Sequence, residues 1–419
     1  MPFPRPLAHR PLALLACLAA AALTAACGGG SGFSGEDAEQ DQQTSGPASL
    51  QVMIGSSGPA ETDAVTAAVE AWASESGNTA EVIAATDLNQ QLSQGFAAGS
   101  PPDVFYVSSD LVAGYAANGS LLPYAADLEN AGDFYPNLVE AFTYEDEFLC
   151  APKDFSTLGL VINNGAWEAA GLTDDDVPTT WEELAQVAGT LTTGEQTGLV
   201  TSAEFQRLGG FMAQAGGGLV TDGEATADSE ANLEALQYVQ SMLDSGSMQL
   251  TGQVGAGWGG EAFGTGLGAM TIEGNWIAGA MTADYPDVDY RVVPLPAGPD
   301  GEATLSFTNC WGIAAETANA DAAQDLVAFL TTPDQQMEFA RAFGVMPSVD
   351  TAEADFTSEF PDFAAFVEQA DAAQTVPNAE GVSTVIADLN SQLESLPGGD
   401  AAAILSSTQA NLEAALGGQ

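Results

Sequence analysis

Three strand-like segments, each followed by a helix-like segment, succeed one another between residues 49 and 117. The strands are expected at 49–54, 79–84 and 103–107, and the helices at 60–76, 87–98 and 109–117. Successive strands joined by helices form a mostly parallel sheet with helices on its faces. This alternation predicts an α/β fold and constrains the architecture more than any other feature of the sequence.

The alternation resumes after Cys150. Extended segments are expected at 157–162, 198–201, 267–272, 290–293 and 303–314, helices at 205–215, 230–244 and from 275, and a mainly helical region from 321 onward. The sequence TWEE at 180–183 predicts a capping box, in which Thr180 and Glu183 satisfy each other's backbone donors at a helix start. Two β/α stretches within 419 residues predict two α/β lobes.

The charge of the chain excludes several classes of protein. There are 58 acidic and 6 basic residues, which give a formal net charge of −52. Beyond residue 27 the only Lys or Arg residues are Lys153, Arg207, Arg291 and Arg341. Binding to nucleic acid or to an anionic membrane through a basic patch is therefore excluded. We interpret the acidic surplus as halophilic adaptation, because a saline exterior screens the self-repulsion.

The near absence of histidine excludes further classes. The only one is His9, so the rest of the chain cannot form a Ser-His-Asp or Cys-His triad or a His-ligated zinc site. No GxxxxGKS or GxxxxGKT string is present, which excludes a P-loop nucleotide site. The acidic run 174–176 is more typical of a solvated loop than of a cation site. We predict no metal and no cofactor, while a hydrophobic content of 46% still supplies a sizeable core.

The first 26 residues predict a signal peptide, because Arg5 and Arg10 precede an apolar stretch too short to span a bilayer comfortably. The string LTAAC at 23–27 resembles a bacterial lipobox, which implies cleavage before Cys27 and lipidation of its thiol. Residues 27–48 then comprise the lipidated cysteine and a flexible acidic linker. We predict an exported protein, anchored by lipid to the outer face of the cytoplasmic membrane. The alternative is an ordinary secreted protein whose cleavage site contains a cysteine.

Two further cysteines, Cys150 and Cys310, remain in the exported part of the chain. Because exported proteins meet an oxidising compartment, an even pair indicates a disulfide. The alternative is two separate buried thiols.

Five segments of the sequence resemble one family of proteins. They are AMTIEGNWIAGAM (269–281), GAGWGGEAFGTGLG (255–268), PKDFSTLGLVINN (152–164), FTNCWGIAAE (307–316) and FGVMPS (343–348). Their composition and order resemble extracellular solute-binding proteins of bacterial ABC importers, of the carbohydrate type that is similar to maltose-binding protein. The resemblance runs from about residue 49 to the C-terminus.

The resemblance implies a periplasmic-binding-protein-like (type II) fold, with two lobes that each contain a sheet flanked by helices. Lobe one is expected at 49–154 plus 305–350, and lobe two at 155–304 plus 351–419. Hinge strands join the lobes, which close around a ligand. The resemblance also implies a monomer that delivers a sugar to the transmembrane subunits of a permease. Cys150 and Cys310 lie in or beside the two segments that resemble crossing strands, so the thiols are expected to meet.

The resemblance further implies a set of ligand-binding residues. Asp110, beside Ser108, takes the position of an acidic contact, and Trp276 takes that of the stacking tryptophan. Glu204 takes a second acidic position, but Gln206 and Arg207 replace aromatic residues, which implies a more polar subsite. The other predicted contacts are Ser56 and Ser57 after the first strand, Lys153, Asp154 and Ser156 near the hinge, Asn275 beside the stacking tryptophan, and Trp258 and Trp311 in glycine-containing segments.

The chemistry of sugars agrees with these residue types. Aromatic rings cover the apolar C–H faces of a sugar, and carboxylates, amides and Arg satisfy its hydroxyl groups. For each of the three tryptophans in this set the alternative is a position in the core, which is also where we expect Trp72, Trp167 and Trp181.

Two other classes of function stay open as alternatives. One is binding of another solute, such as a polyamine, a phosphate ester or an oligopeptide. The other is a glycoside-acting enzyme that uses paired carboxylates, but the sequence supplies no acid pair with a defined setting. We therefore predict a binding protein without enzymatic activity.

Overall fold

The computed structural model describes residues 46–417, apart from Asp222 and Glu380. The predicted signal peptide at 1–26, the lipidation site Cys27 and the linker up to residue 45 lie outside the described residues. No helix within the described part is long and apolar enough to cross a membrane.

The first part of the described chain alternates strands and helices. Its elements are β1 (Ser49–Ile54), α1 (Pro59–Ser76), β2 (Thr79–Ala84), α2 (Leu88–Ala97), β3 (Val104–Ser108), α3 (Val112–Ala117), α4 (Pro136–Ala141), β4 (Thr143–Tyr144) and β5 (Glu147–Phe148). Local sequence explains these elements. In β1 the residues Leu50, Val52 and Ile54 are buried while Gln51 is exposed, and the Asp87 side chain accepts the Gln90 N–H at the start of α2.

The middle part continues the alternation. Its elements are β6 (Ala151–Asn163), α5 (Asn164–Ala169), α6 (Trp181–Leu191), β7 (Thr197–Thr201), α7 (Phe205–Gln214), β8 (Val220–Thr221), β9 (Glu224–Ala225), α8 (Glu230–Ser245), β10 (Met248–Leu250), α9 (Thr251–Val254), α10 (Gly259–Gly264), β11 (Gly268–Gly274), α11 (Ile277–Asp284) and β12 (Tyr290–Val293). Ser229 caps α8 by accepting the Asn232 N–H, as the sequence predicts.

The last part is mainly helical after one long strand. Its elements are β13 (Thr304–Ile313), α12 (Ala320–Leu330), α13 (Pro333–Phe343), α14 (Glu353–Glu359), α15 (Ala364–Glu368), β14 (Ala373–Thr375), α16 (Val382–Leu393) and α17 (Ala401–Leu416).

The principal sheet of the described residues runs in the order β10-β7-β11-β6-β13-β3-β1-β2, and β12 and β14 pair with β6 and β13. At one end β1 is parallel to β2 and β3, and at the other end β7 is parallel to β10 and β11. Between these ends β6 and β13 run antiparallel to each other. The first half of β6 pairs with β13 and its second half pairs with β11 and β12, so β6 crosses from one group of strands to the other.

Two large clusters of buried apolar side chains flank this crossing. The first contains Val52, Phe105 and Trp311, and the second contains Leu199, Met270 and Leu389. The predicted α/β class, with two lobes joined by hinge strands, is confirmed. The exact lobe boundaries stay a prediction, and apolar side chains from Ala352 to Ala370 pack in the first cluster.

Strand β6 begins earlier than the sequence predicts. The expected start was residue 157, but the strand begins at Ala151. Residues 151–156 include Pro152, Lys153 and Asp154, which do not resemble a buried strand. They become one because β13 supplies the hydrogen-bond partners and the two charges pair with each other.

Local details differ at three helix starts. The Glu183 carboxylate accepts the Thr179 N–H and hydroxyl instead of the Thr180 N–H, so only the Thr180 half of the predicted capping box forms. Helix α3 begins at Val112, after a turn at 109–111. Helix α11 begins at Ile277, because residues 275–276 form the turn that leads from β11 into it.

The disulfide between Cys150 and Cys310 is present, with the two Cα atoms 5.6 Å apart. It forms because β6 and β13 run side by side, with Cys310 opposite Pro152 in the ladder. A separation of 160 residues along the chain is thereby closed.

Candidate ligand-binding cleft

A cleft of about 400 Å³ lies where β6 and β13 cross between the two apolar clusters. Its walls come from the turns that follow β1, β3, β11 and α13, together with the crossing strands themselves. Of the thirteen predicted ligand contacts, eight line this cleft: Ser57, Ser108, Asp110, Lys153, Asp154, Ser156, Asn275 and Trp276. Within the described part of the chain no group of three or more His, Cys, Asp or Glu residues is arranged to hold a metal ion.

Three of the predicted contacts, Ser56, Glu204 and Arg207, do not line the cleft. The Ser56 hydroxyl donates to the Gly58 carbonyl at 2.6 Å and accepts from the Thr62 hydroxyl at 2.8 Å, so it shapes the start of α1. Glu204 occupies the position before α7 without a capping bond. Arg207 lies next to Trp276, with its guanidinium carbon 5.0 Å from the centroid of the indole ring.

Two predicted tryptophan contacts point elsewhere. Trp311 is fully buried in the first apolar cluster, where its ring packs edge-on against Tyr106 at a centroid distance of 4.9 Å. This corrects the expectation that it faces the cleft, because both faces of β13 are covered at that point. Trp258 is half-buried and packs with Val161 and Phe263. Trp72, Trp167 and Trp181 are buried, as predicted.

A buried ionic cluster forms the hinge side of the cleft. Lys153, on β6, has its Nζ 3.2 Å from Glu61 Oε1 and also contacts the Asp154 carboxylate. The Tyr106 hydroxyl donates to Glu61 Oε1 at 3.1 Å, and the Ser57 N–H and hydroxyl donate to Glu61 Oε2, each at 2.7 Å. We call these residues, Glu61, Tyr106, Lys153 and Asp154, the hinge cluster.

The pKa values of the hinge cluster reflect a balance between burial and pairing. Burial raises the pKa of Glu61, but the Lys153 ammonium and the hydrogen bonds from Ser57 outweigh it and lower the pKa below its ordinary value. Burial lowers the pKa of Lys153, but Asp154 and Glu61 together raise it above its ordinary value. For Asp154 burial prevails and the pKa is raised, in spite of Lys153. The charged pair Lys153–Glu61 is therefore the state that the surroundings favour.

A second ionic cluster lies beside the cleft at the end of β11. The Glu273 Oε2 atom accepts from Arg207 Nη2 at 2.9 Å, from Arg207 Nε at 3.1 Å and from Trp276 Nε1 at 2.9 Å. The Glu273 side chain is 0% exposed and that of Arg207 is 12% exposed. Burial raises the pKa of Glu273, against the opposing effect of the Arg207 charge. We call Arg207, Glu273 and Trp276 the indole cluster.

Trp276 is the one large apolar side chain among the described residues that is exposed, at 36%. Its ring meets Phe307 edge-on at a centroid distance of 5.5 Å, and both side chains line the cleft. The Asp110 carboxylate lines the same cleft and has no hydrogen-bond or ion-pair partner among residues 46–417 as described. The cleft thus presents an aromatic surface and a carboxylate that is available as an acceptor.

Asn275 has a role that the sequence does not reveal. Its side-chain amide donates to the Gly344 carbonyl at 2.7 Å. Gly344 ends α13 in a left-handed conformation, with φ of 74°, and also lines the cleft. Asn275 therefore connects the turn after β11 to the turn after α13.

Several lining residues were not predicted as ligand contacts. They are Gly55, Glu61, Ser109, Gln206, Phe307, Thr308, Asn309, Phe343, Gly344, Val345 and Val376. Glu61 lies in the first turn of α1, where an acidic residue ordinarily indicates only a favourable interaction with the helix dipole. Phe307 and Asn309 lie on β13, whose sequence indicates a buried strand. Clues were available for Glu61, which follows the Ser56-Ser57 turn that was selected, and for Gln206, which the resemblance placed in a more polar subsite.

Comparisons with known proteins identify the family of this chain. The family model of bacterial extracellular solute-binding proteins matches residues 67–371. The chain is 23% identical over 354 residues to the diacetylchitobiose binding protein of Streptomyces coelicolor, with 79% of this chain and 80% of that protein covered.

Solved structures share the fold. The cyclic alpha-maltosyl-1,6-maltose binding protein of Arthrobacter globiformis has a TM-score of 0.80 at 23% identity, with 89% of this chain and 100% of that chain covered. A Mycobacterium tuberculosis protein solved in complex with glycerophosphocholine has a TM-score of 0.76 at 20% identity, with 90% of this chain and 99% of that chain covered. At these identities the likeness establishes the architecture.

Proposed function

Because the chain belongs to the family of bacterial extracellular solute-binding proteins, we propose that it is the substrate-binding lipoprotein of an ABC importer. In this role it captures a sugar or oligosaccharide in the cleft between its lobes and delivers it to the permease. The diacetylchitobiose and cyclic maltosyl-maltose binding proteins described above support a carbohydrate ligand.

The observation that carries this proposal is the pairing of Trp276 with polar groups in one cleft. An exposed indole ring suits the C–H face of a sugar, and Asp110 can accept hydrogen bonds from its hydroxyl groups. Ser57, Ser108 and Ser156 add hydroxyl groups to the same walls. We propose that these residues, with Asn275, contact the ligand.

Lys153 and Asp154 differ from the other predicted contacts in that their charges are not free to meet a ligand. Their charges are already engaged by each other and by Glu61. We propose that they support the floor of the cleft near the hinge, and that the binding energy comes mainly from the ring and the unpaired acceptors.

We propose that the protein acts as a monomer at the outer face of the cytoplasmic membrane. The lipobox-like string at 23–27 supports an anchor on Cys27, and the linker to residue 48 would give the lobes reach to the permease. We propose no catalytic residue. Replacing Cys27 by Ala should release the protein from a membrane fraction into the soluble fraction, and retention of the variant would contradict the anchor.

The test is a thermal-shift panel followed by calorimetry. The panel contains maltose, cyclic maltosyl-maltose, N,N′-diacetylchitobiose, glycerophosphocholine and spermidine. We expect one of the sugars to raise the unfolding midpoint and to bind with Kd of roughly 1 μM, about −8 kcal/mol. Chromatography of that sugar after incubation is the control for catalysis, since breakdown products would contradict a binding protein.

A polyamine is a second candidate ligand, and one observation favours it. The cleft is lined by three carboxylates, those of Glu61, Asp110 and Asp154, against the single ammonium of Lys153. A shift with spermidine and none with the sugars would replace the carbohydrate proposal by this one.

A further inference from the structure

The Trp276 ring lies over Gly274 and meets Phe307 edge-on, and apolar packing of this kind does not by itself fix the direction of its indole N–H. Trp276 lies in the turn between β11 and α11, and 36% of its surface is exposed. A ring on such a turn can rotate unless something holds it. The hydrogen bond from Trp276 Nε1 to Glu273 Oε2, at 2.9 Å, supplies one restraint.

The same oxygen supplies a second restraint through Arg207. Glu273 Oε2 accepts from Nη2 of Arg207 at 2.9 Å, and the guanidinium carbon lies 5.0 Å from the centroid of the Trp276 ring. One carboxylate oxygen therefore directs the edge of the ring and also places a cation beside the ring. A side chain without charge could not gather both donors with the same strength.

The second carboxylate oxygen of Glu273, Oε1, lies in a tightly enclosed position. Oε1 is buried and has no hydrogen-bond partner among the described residues. A Cβ atom on Gly259 would lie 2.5 Å from Oε1 and 2.6 Å from the Thr271 hydroxyl oxygen, so only glycine leaves room there. A buried, half-satisfied carboxylate is unfavourable for stability, which indicates that it is retained for another reason.

We propose that Glu273 is a positioning residue, whose carboxylate fixes the orientation in which the Trp276 ring faces the cleft. Arg207 assists by holding that carboxylate in place. The inference rests on the proposed function only in that a bound ligand meets the ring.

The test reads the ring directly in the ligand-free protein. In the exported protein labelled with isotope in its 6 tryptophans, the Trp276 indole N–H signal is identified as the one that Trp276→Phe removes. We expect Glu273→Leu to move this signal and to raise its exchange with solvent about tenfold or more, the factor for a lost hydrogen bond to a charged group. Glu273→Gln restores an acceptor and should recover part of the protection.

A second variant keeps the Glu273 carboxylate and fills only the space that its Oε1 atom occupies. Gly259→Ala should displace the carboxylate and change the Trp276 indole signal in the same direction as Glu273→Leu. Gly279→Ala is the matched control, because a Cβ atom there meets nothing within 4 Å, and it should leave the signal unchanged.

The outcomes separate the proposal from its alternatives. If Glu273→Leu does not fold, Gly259→Ala and Glu273→Gln decide. An indole signal and exchange rate equal to those of the parent in the folded variants would overturn the positioning role. Since no ligand is added, failure of the sugar proposal would appear only in the thermal-shift panel.

Discussion

Lys153 and Arg207 both lie beside the cleft and both pair with buried carboxylates, but their surroundings differ. Lys153 is enclosed by Glu61 and Asp154, and all three side chains are less than a tenth exposed. The Arg207–Glu273 pair continues instead into the Trp276 ring, which is 36% exposed. The hinge cluster is thus closed upon itself, whereas the indole cluster ends at a surface that a ligand can reach.

The difference separates stability from recognition. The charged groups of a closed buried cluster are already paired with one another and add no new interaction with a ligand. Removal of one member leaves its partners as buried charges without compensation. A cluster that ends at an exposed ring sets the orientation of a surface that a ligand can contact. We therefore expect changes in the hinge cluster to act mainly on folding and changes in the indole cluster to act mainly on binding.

The disulfide beside the hinge cluster should give the largest effect. Cys150 lies three positions before Lys153, and its bond to Cys310 closes a separation of 160 residues. In the chain-entropy model such a cross-link adds about 5 kcal/mol to the free energy of unfolding, although measured gains are often smaller. Urea unfolding of Cys150→Ser/Cys310→Ser should show a loss of this order, and Cys150→Ser alone should lose a similar amount. Variants as stable as the parent, or free thiols in the exported protein, would contradict a stabilising bridge.

The next largest effect concerns the two cations themselves. Lys153→Met leaves two buried carboxylates uncompensated and should lower the free energy of unfolding by about 3–5 kcal/mol. Arg207→Met leaves one buried carboxylate, that of Glu273, uncompensated. Because Glu273 keeps the hydrogen bond from Trp276, the free energy of unfolding should fall by only about 2 kcal/mol. Urea unfolding at neutral pH measures both. If Arg207→Met lost as much unfolding free energy as Lys153→Met, or more, the hinge cluster would not depend on its cation more than the indole cluster does.

Removal of the Trp276 ring should affect ligand binding much more than stability. Trp276→Ala should weaken sugar binding by about 2 kcal/mol, roughly 30-fold in Kd, because exposed aromatic anchors carry much of the binding energy. Its effect on unfolding should be smaller, since the ring is already partly exposed. Trp258→Ala is the control outside the cleft, with the opposite expectation of lower stability and unchanged Kd. Calorimetry and thermal unfolding of both variants decide this.

The two buried glutamates should respond to acid in opposite directions. The pKa of Glu61 is lowered in the folded protein, so its contribution is present above the ordinary value of 4.5 and is lost as pH falls through the lowered pKa. The pKa of Glu273 is raised, so the folded state binds its proton first and stability relative to Glu273→Gln increases as pH falls toward 4.5. Unfolding free energies of the parent, Glu61→Gln and Glu273→Gln, measured at pH values on both sides of 4.5, test the two slopes, since Glu61 acts below 4.5 and Glu273 above it. Parallel slopes would contradict the contrast between the clusters.

The smallest effect is expected at an exposed cation. Arg341 pairs with Glu338 and Glu359 on the surface, with its side chain 42% exposed. Arg341→Gln should leave the unfolding midpoint nearly unchanged and should matter least in concentrated KCl. The parent should itself become more stable from about 0.05 M to about 2 M KCl, because salt screens the self-repulsion of the surface acids. The loss in Lys153→Met should persist in salt, since its charges are buried. A flat response of the parent would count against saline adaptation.

Much of the fold follows from local sequence. The bounds of β1, β2 and β12 agree with the sequence prediction to the residue, and of the five helices that were predicted with both bounds, four agree within one position. The failures are equally instructive. Residues 151–156 look like a polar segment, and only pairing with β13 and the Lys153–Asp154 contact make them a buried strand.

The cleft was predicted less completely than the fold. The resemblance selected Asp110 and Trp276, which both line it. It assigned the stacking position to Trp276, whereas Trp311 was added because it lies in an extended segment next to glycine. Their exposures, 36% and 0%, depend on which neighbours cover each ring, and sequence alone does not specify those neighbours.

The sequence by itself determined the α/β class, the positions of several strands and helices and the family, because periodicity, capping and motif order are local properties of the chain. Tertiary structure alone decided which charges meet. Glu61 reaches Lys153 across 92 positions, and Arg207 reaches Glu273 across 66. Among 58 acids, composition offers no way to choose those two partners. They are chosen by the crossing of β6 and β13 and by the turn after β11, which bury particular carboxylates beside the few available cations.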